Sequence, residues 1–196
     1  LAHEATLVLL DAETARKLAR DKYLADTILR QLGEADLIVL NKIDLVSDPM
    51  RADLRAWLAE AAPRAKIVET AFGALPPEIA FGAFSHGAFR ADAPAAHGGA
   101  QPQSQSFEIA QALDVERLAA GLADDNLGLI RAKGFLRDAD GAWKLVQIVG
   151  RRAAMTPAHA PPEGVGRLVC IAHGRPLERK AISSLLARCA VRAASS

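Results

Sequence analysis

Several things are scarce in this 196-residue sequence, and each scarcity removes a class of function. Cys170 and Cys189 are the only cysteines. Both sit inside apolar patterns, which reads as reduced core thiols rather than a disulfide or a metal pair and fits a reducing, cytoplasmic setting. Charge of either sign is not in excess: the net value of +1 gives no reason to expect nucleic acid or an anionic membrane as partner. Aromatic residues are 5% of the chain, which leaves few stacking platforms for bases. No apolar run approaches the roughly 20 residues of a membrane span. Glu4, Asp11 and Glu13 fall within a strand-like pattern at the start, unlike a signal peptide. The chain opens on Leu1 and is within a few residues in a buried-strand pattern, so the expectation is of a protein entered partway through.

What is present is organised around Leu37-Ile38-Val39-Leu40, followed at once by Asn41-Lys42-Ile43-Asp44. Four consecutive apolar residues read as a strand buried on both faces, as in a parallel sheet covered by helices. Polar residues at the carboxyl end of such a strand sit where open α/β sheets bind ligands. Guanine offers a ring N–H and an exocyclic amine side by side, and one carboxylate, Asp44, accepts from both; adenine offers no such pair. Asn41 has two readings, a bond to the purine edge or a tie between neighbouring loops, and the aliphatic stem of Lys42 suits the base plane. The alternative is a polar turn after a strand, since Asn and Asp are common turn residues.

In chain order, Ala5 to Leu10 reads as another buried parallel strand, ending in Asp11, which is read as a helix cap rather than as a neighbour of the site. Helical material runs to about Gly33, with Ala25, Ile28, Leu29 and Leu32 as its apolar stripe. Ser47-Asp48-Pro49 opens a helix buried through Leu54, Trp57, Leu58 and Ala61 and ended by Pro63. Residues 65–69 form a third strand, with Thr70-Ala71-Phe72-Gly73 at its carboxyl end. The order β-α-β-α-β builds a parallel sheet by right-handed crossovers. Residues 1–81 are thus a partial α/β domain.

Composition changes after Phe81, and 82–105 reads as a flexible linker in which His86 and His97 are solvated. A second, α+β domain covers 106–196. Its expected parts are a strand at Phe107–Ala110, a helix capped by Asp114 with Val115, Leu118, Ala119 and Leu122 inward, and strands over 129–136 and 143–149 about an Asp138-Ala139-Asp140-Gly141 turn. A strand at 167–172 and a last helix burying Ile182, Leu185, Leu186 and Cys189 complete it. That order suggests a mostly antiparallel sheet with helices on one face. Arg131 and Lys133 have two readings here: a basic edge offered to a partner, or the solvent face of an edge strand.

These pieces resemble the CobW-type (CobW/HypB/UreG-like) P-loop GTPases, a family of metal chaperones and metal-insertion proteins that includes cobalamin-synthesis members. The likeness rests on the strand ending in Asp11, on Tyr23 to Leu45 with its Asn-Lys-Ile-Asp, on Thr70-Ala71, on Leu129-Ile130-Arg131-Ala132-Lys133-Gly134 and on Arg167 to Ile171. It implies a partial P-loop GTPase domain followed by a CobW C-terminal domain. It also implies that Asn41, Lys42 and Asp44 read guanine, and that Thr70 and Ala71 form the loop whose backbone contacts the guanine carbonyl. GTP and Mg²⁺ are the implied ligands of an intact protein, with Zn or Co as implied metals. Guanine nucleotide, a client metalloprotein and a second copy of the chain are the implied partners.

The sequence departs from the family in having no Gly-x-x-x-x-Gly-Lys-Ser/Thr and no Cys-x-Cys-Cys. Without a phosphate-cradling loop these residues alone are expected neither to hydrolyse GTP nor to hold metal at the family's cysteine site. Two functions follow: part of a GTPase coupled to metal delivery, or a module that recognises a client or mediates oligomerisation without catalysis.

Overall fold

A computed structural model describes residues 4–81 and 102–191, which fall into two units divided between Ala80 and Pro102. In the first, three strands, β1 (Leu7–Asp11), β2 (Leu37–Asn41) and β3 (Lys66–Glu69), form one parallel sheet in the order β1-β2-β3. Helices α1 (Ala15–Leu18), α2 (Ala25–Glu34), α3 (Asp48–Ala61) and α4 (Pro77–Phe81) connect or follow them. The central strand is the most deeply buried, with Leu37, Ile38, Val39 and Leu40 all at 0–1% exposure. Ile38 and Leu40 pack with Leu32 of α2 and with Leu54 and Leu58 of α3. Each such side chain contributes about 1.5–3 kcal/mol, whereas an exposed ion pair contributes about 0–1 kcal/mol. The stability of this unit therefore rests on the surroundings of β2.

Three details of this unit depart from expectation. Leu7 and Leu9 are exposed, Leu9 at 64%, so β1 is not buried on both faces; among the described residues β2 is its only strand partner. Leu29 is also exposed, which narrows the α2 stripe to Ala25, Ile28 and Leu32. Helix α4, anchored by the fully buried Ile79, has too few residues to show a period.

The second unit is a five-stranded antiparallel sheet. Its strands are β4 (Gln103–Ile109), β5 (Leu129–Arg137), β6 (Trp143–Val149), β7 (Arg152–Pro157) and β8 (Gly166–Ala172), in the order β4-β8-β5-β6-β7. Helices α5 (Val115–Ala123) and α6 (Arg179–Cys189) share one core with alternate strand residues, among them Phe107, Ala132, Leu136, Val146, Leu168 and Cys170. The eight helix positions expected inward are all in that core. Asp114 caps α5 by accepting from the Arg117 amide (3.0 Å).

Here too the structure corrects the sequence reading. Residues 103–105, assigned to the linker, belong to β4; the rest of that stretch, 82–101 with its two histidines, lies outside the described residues apart from Pro102. Strand β5 is interior, between β8 and β6, so Arg131 and Lys133 are not on an edge, and Arg131 is buried at 8% exposure. The register shifts between Leu129 and Arg131. This bulge at Ile130 puts both Leu129 and Ala132 into the core, where unbroken alternation would send them to opposite faces. Arg131 and Lys133 do share a face, the one opposite Ala132.

Candidate functional site

Parallel pairing sets Asp11 opposite Asn41 and Leu40 opposite Glu69, so the carboxyl ends of the three strands finish level. The chain then turns twice. After Asn41, Lys42 takes a left-handed conformation (φ 61°) and Ile43–Leu45 make one 3₁₀ turn. After β3, Thr70 is followed by Ala71 and by two residues of positive φ, Phe72 (56°) and Gly73 (68°). For a bulky residue such as Phe72 that conformation is uncommon and needs support from its surroundings.

The support is a set of bonds between the two turns. The Thr70 amide donates to the Leu40 carbonyl (2.9 Å), the Ile43 amide to the Thr70 carbonyl (3.3 Å), and the Gly73 amide to Asn41 Oδ1 (3.0 Å). Asn41 is therefore a tie between loops, the second of its two readings. Thr70 is buried, and its hydroxyl donates to the Ala71 carbonyl (3.3 Å), which also accepts from Ala74 (2.9 Å). The five residues singled out from sequence, Asn41, Lys42, Asp44, Thr70 and Ala71, thus lie on two loops that backbone and side-chain bonds fasten together.

Two groups in this frame have unspent bonding capacity. The Asp44 carboxylate is exposed and accepts no hydrogen bond among the described residues. The amides of Ala71 and Phe72 donate to no group among the described residues. The site therefore presents a carboxylate acceptor on one loop and backbone donors on the other, complementary to a ligand edge that carries adjacent donors and a carbonyl.

Asp11 belongs to the same end of the sheet. Its Oδ1 accepts from the Glu13 amide (2.8 Å), and its Oδ2 meets Lys42 Nζ at 2.6 Å. The bond from Lys42 holds the Asp11 carboxyl below its usual range, partly opposed by desolvation, and the Asp11 carboxylate raises the Lys42 ammonium in return. Asp11 is not the helix cap expected from sequence: α1 starts at Ala15 behind Thr14, which has no side-chain cap bond, and Asp11 Oδ1 closes a turn instead. Its lysine partner lies 31 positions away in sequence and is brought close by strand register, a relation that local pattern does not carry. Glu69, at the end of β3, is held by Arg51 and Arg55 of α3 and braces that helix against the sheet.

Metal ligands are a poor fit to these residues. Among the described residues no group of three His, Cys, Asp or Glu side chains is placed to hold an ion. Cys170 and Cys189 are both buried in the core of the second unit, where burial pushes the Cys170 thiol up to about 12 and raises Cys189 as well. Mg²⁺ with nucleotide phosphates lacks the loop that would hold it.

The two units thus comprise a parallel α/β layer bearing a loop-built polar site and an antiparallel sheet covered on one face by two helices. The family model for the CobW/HypB/UreG nucleotide-binding domain matches residues 1–69, and that for the cobalamin synthesis protein cobW C-terminal domain matches residues 103–190. The chain belongs to the CobW family. No curated protein matches it. Among solved structures it is similar to a Zn(II)-bound triple mutant of the YjiA GTPase (21% identity, TM-score 0.41) and to the Zn(II)-bound YjiA GTPase from E. coli (19% identity, TM-score 0.38). Each comparison covers 96% of this chain and 61% of the other, so the chain spans about three fifths of the length of the proteins it matches. None of the described helices is long and apolar enough to cross a membrane.

Proposed function

We propose that this chain supplies the guanine-reading loops and the C-terminal domain of a cytoplasmic GTPase that delivers metal to a client metalloprotein. The observation that carries the base assignment is the unspent pair of functions on two fastened loops: the exposed Asp44 carboxylate and the Ala71 and Phe72 amides. Asp44 accepts from the guanine ring N–H and exocyclic amine, and an amide after Thr70 donates to the guanine carbonyl. Adenine presents neither arrangement, so the site discriminates by leaving its own polar groups unpaired against the wrong base. Asn41 acts at one remove, by holding the 70–73 loop through Gly73.

The residues in hand do not fit Mg²⁺ or the phosphates, and no hydrolytic step is assigned to them. GTP hydrolysis requires a phosphate-binding segment outside these 196 residues. The metal-delivery part of the proposal rests on membership of the CobW family, with the second unit as the part that meets the client or a second copy of the chain.

Asp44→Asn in the full-length protein is the test, read by calorimetry with GDP and XDP. Losing a charge-assisted bond of about 1.5–3 kcal/mol weakens GDP binding roughly 10- to 100-fold. XDP, which carries a carbonyl where guanine has its amine, should gain relative to GDP. An unchanged GDP/XDP ratio removes Asp44 from base recognition.

A further inference from the structure

Lys42 has more than one carboxylate within electrostatic reach: Asp11, Glu13 and Asp44 all favour its charged form. Only Asp11 makes a direct contact, at 2.6 Å. The two oxygens of Asp11 are divided between tasks. Oδ1 takes the Glu13 amide and closes the turn after β1, and Oδ2 takes the lysine. The position of Asp11 is itself fixed by the β1–β2 register opposite Asn41 and by the Ala12 amide, which donates to the Asn41 carbonyl (2.9 Å). Lys42 leaves the strand with φ 61°, so its side chain departs in a direction that an extended residue would not give it.

The consequence concerns Asp44, two residues on. A carboxylate that reads guanine must reach the base without a standing ion pair, and an unanchored Lys42 ammonium, which already feels the Asp44 charge, is a cation able to occupy it. We propose that Asp11 is a positioning residue of the base site, which holds the Lys42 ammonium on Oδ2 and so keeps Asp44 open to the base. The inference rests on the guanine reading of Asp44 given above. It assigns to Asp11 a role that neither its place at a strand end nor its part in the turn requires.

The division of oxygens makes Asp11→Asn a clean perturbation. The amide oxygen can still accept from Glu13, while the amide nitrogen offers the ammonium no acceptor. In the full-length protein, GDP binding by calorimetry should weaken on the order of five- to tenfold, within the lower part of the range for groups that couple directly. Lys42→Met keeps an unbranched stem and removes the charge. In that background Asp11→Asn should cost nothing further, because no ammonium remains to shift onto Asp44. Thermal midpoints of the variants should agree with the parent. If Asp11→Asn leaves GDP affinity unchanged, or if its loss persists in full beside Lys42→Met, Asp11 acts only in the turn and the proposal fails. Asp44→Asn, measured alongside, separates the two claims. A shifted GDP/XDP ratio with no Asp11–Lys42 coupling overturns the positioning role alone, whereas an unshifted ratio overturns both.

Discussion

Among the glycines of the described residues, Gly134 should be the costliest to replace. It lies in β5 opposite Leu168 of β8 and Val146 of β6, and a Cβ added there would stand 2.4 Å from the Arg167 carbonyl oxygen, 2.9 Å from Leu168 Cα and 3.1 Å from Leu168 Cδ1. Two of these three neighbours are backbone, which no rotamer change can move. Both β5 and β8 are interior, so opening their ladder disturbs the pairing on the far side of each. Overpacking of a well-filled interior costs about 1–3 kcal/mol, and a backbone clash belongs at the upper end. Restricting the unfolded chain returns about 0.4–1 kcal/mol. The net loss for Gly134→Ala is then about 2 kcal/mol, which for a unit of this size lowers its thermal midpoint by roughly 8–16 °C. Gly33→Ala is the matched control: it lies in α2 with nothing within 4 Å of its would-be Cβ. That change should stabilise by about 0.5–1 kcal/mol. Calorimetric scans should resolve the two units, because each substitution acts on its own transition. Finding Gly134→Ala within about 2 °C of the parent would show that the ladder gives way locally and that the steric argument is wrong.

Two further outcomes are expected in the second unit. Burial alone would push the Asp138 carboxyl up, but Lys144 and the Ala139 and Val115 amides outweigh it and hold the group below its ordinary 3.8. A carboxyl lowered on folding stabilises above the unfolded value, and that share is lost as pH falls through the lowered folded value. The midpoint of this unit should therefore drop with acidification below about 4. Asp138→Asn keeps the amide contacts on Oδ1 and loses the lysine on Oδ2, so it should flatten the drop; parallel pH curves would exclude the pair as its cause. Cys170, its thiol raised to about 12 by burial, should resist a disulfide-exchange reagent at mildly alkaline pH until the chain is unfolded. Modification at a rate independent of denaturant would contradict its placement in the core.

Legibility from sequence followed the kind of force at work. Where burial shapes an element, its residues announce it: Leu37 to Leu40 gave the central strand, and Val115, Leu118, Ala119 and Leu122 gave the buried face of α5. Where backbone pairing shapes it, the signal fades. Strand β7, Arg-Ala-Ala-Met-Thr-Pro, escaped notice because five of its six residues are small, polar or charged, or proline, and it is held at the sheet margin by β6. Gln103 to Gln105 read as linker for the same reason. The site was half legible. Asn41, Lys42, Asp44, Thr70 and Ala71 were visible as a motif and a loop, while the tie from Asn41 to Gly73 and the grip of Asp11 on Lys42 arise from register and turn geometry. The bulge at Ile130, which decides which side of the sheet each β5 residue faces, leaves no mark in composition.

The margins of the five-stranded sheet bear on how the C-terminal domain can be cut from its neighbour. Strand β4 covers one flank of β8, whose own run Leu168-Val169-Cys170-Ile171 is strongly apolar, and β4 does so with Gln103, Ser104, Gln105 and Ser106 before its first core residue, Phe107. Polar residues on an outermost strand discourage pairing between molecules, and an apolar strand left without its cover invites it. A domain trimmed to begin at Phe107, where the apolar pattern starts, would bare the Val169–Ala172 end of β8 and turn a protected rim into an adhesive one. Beginning at or before Pro102 keeps the rim intact.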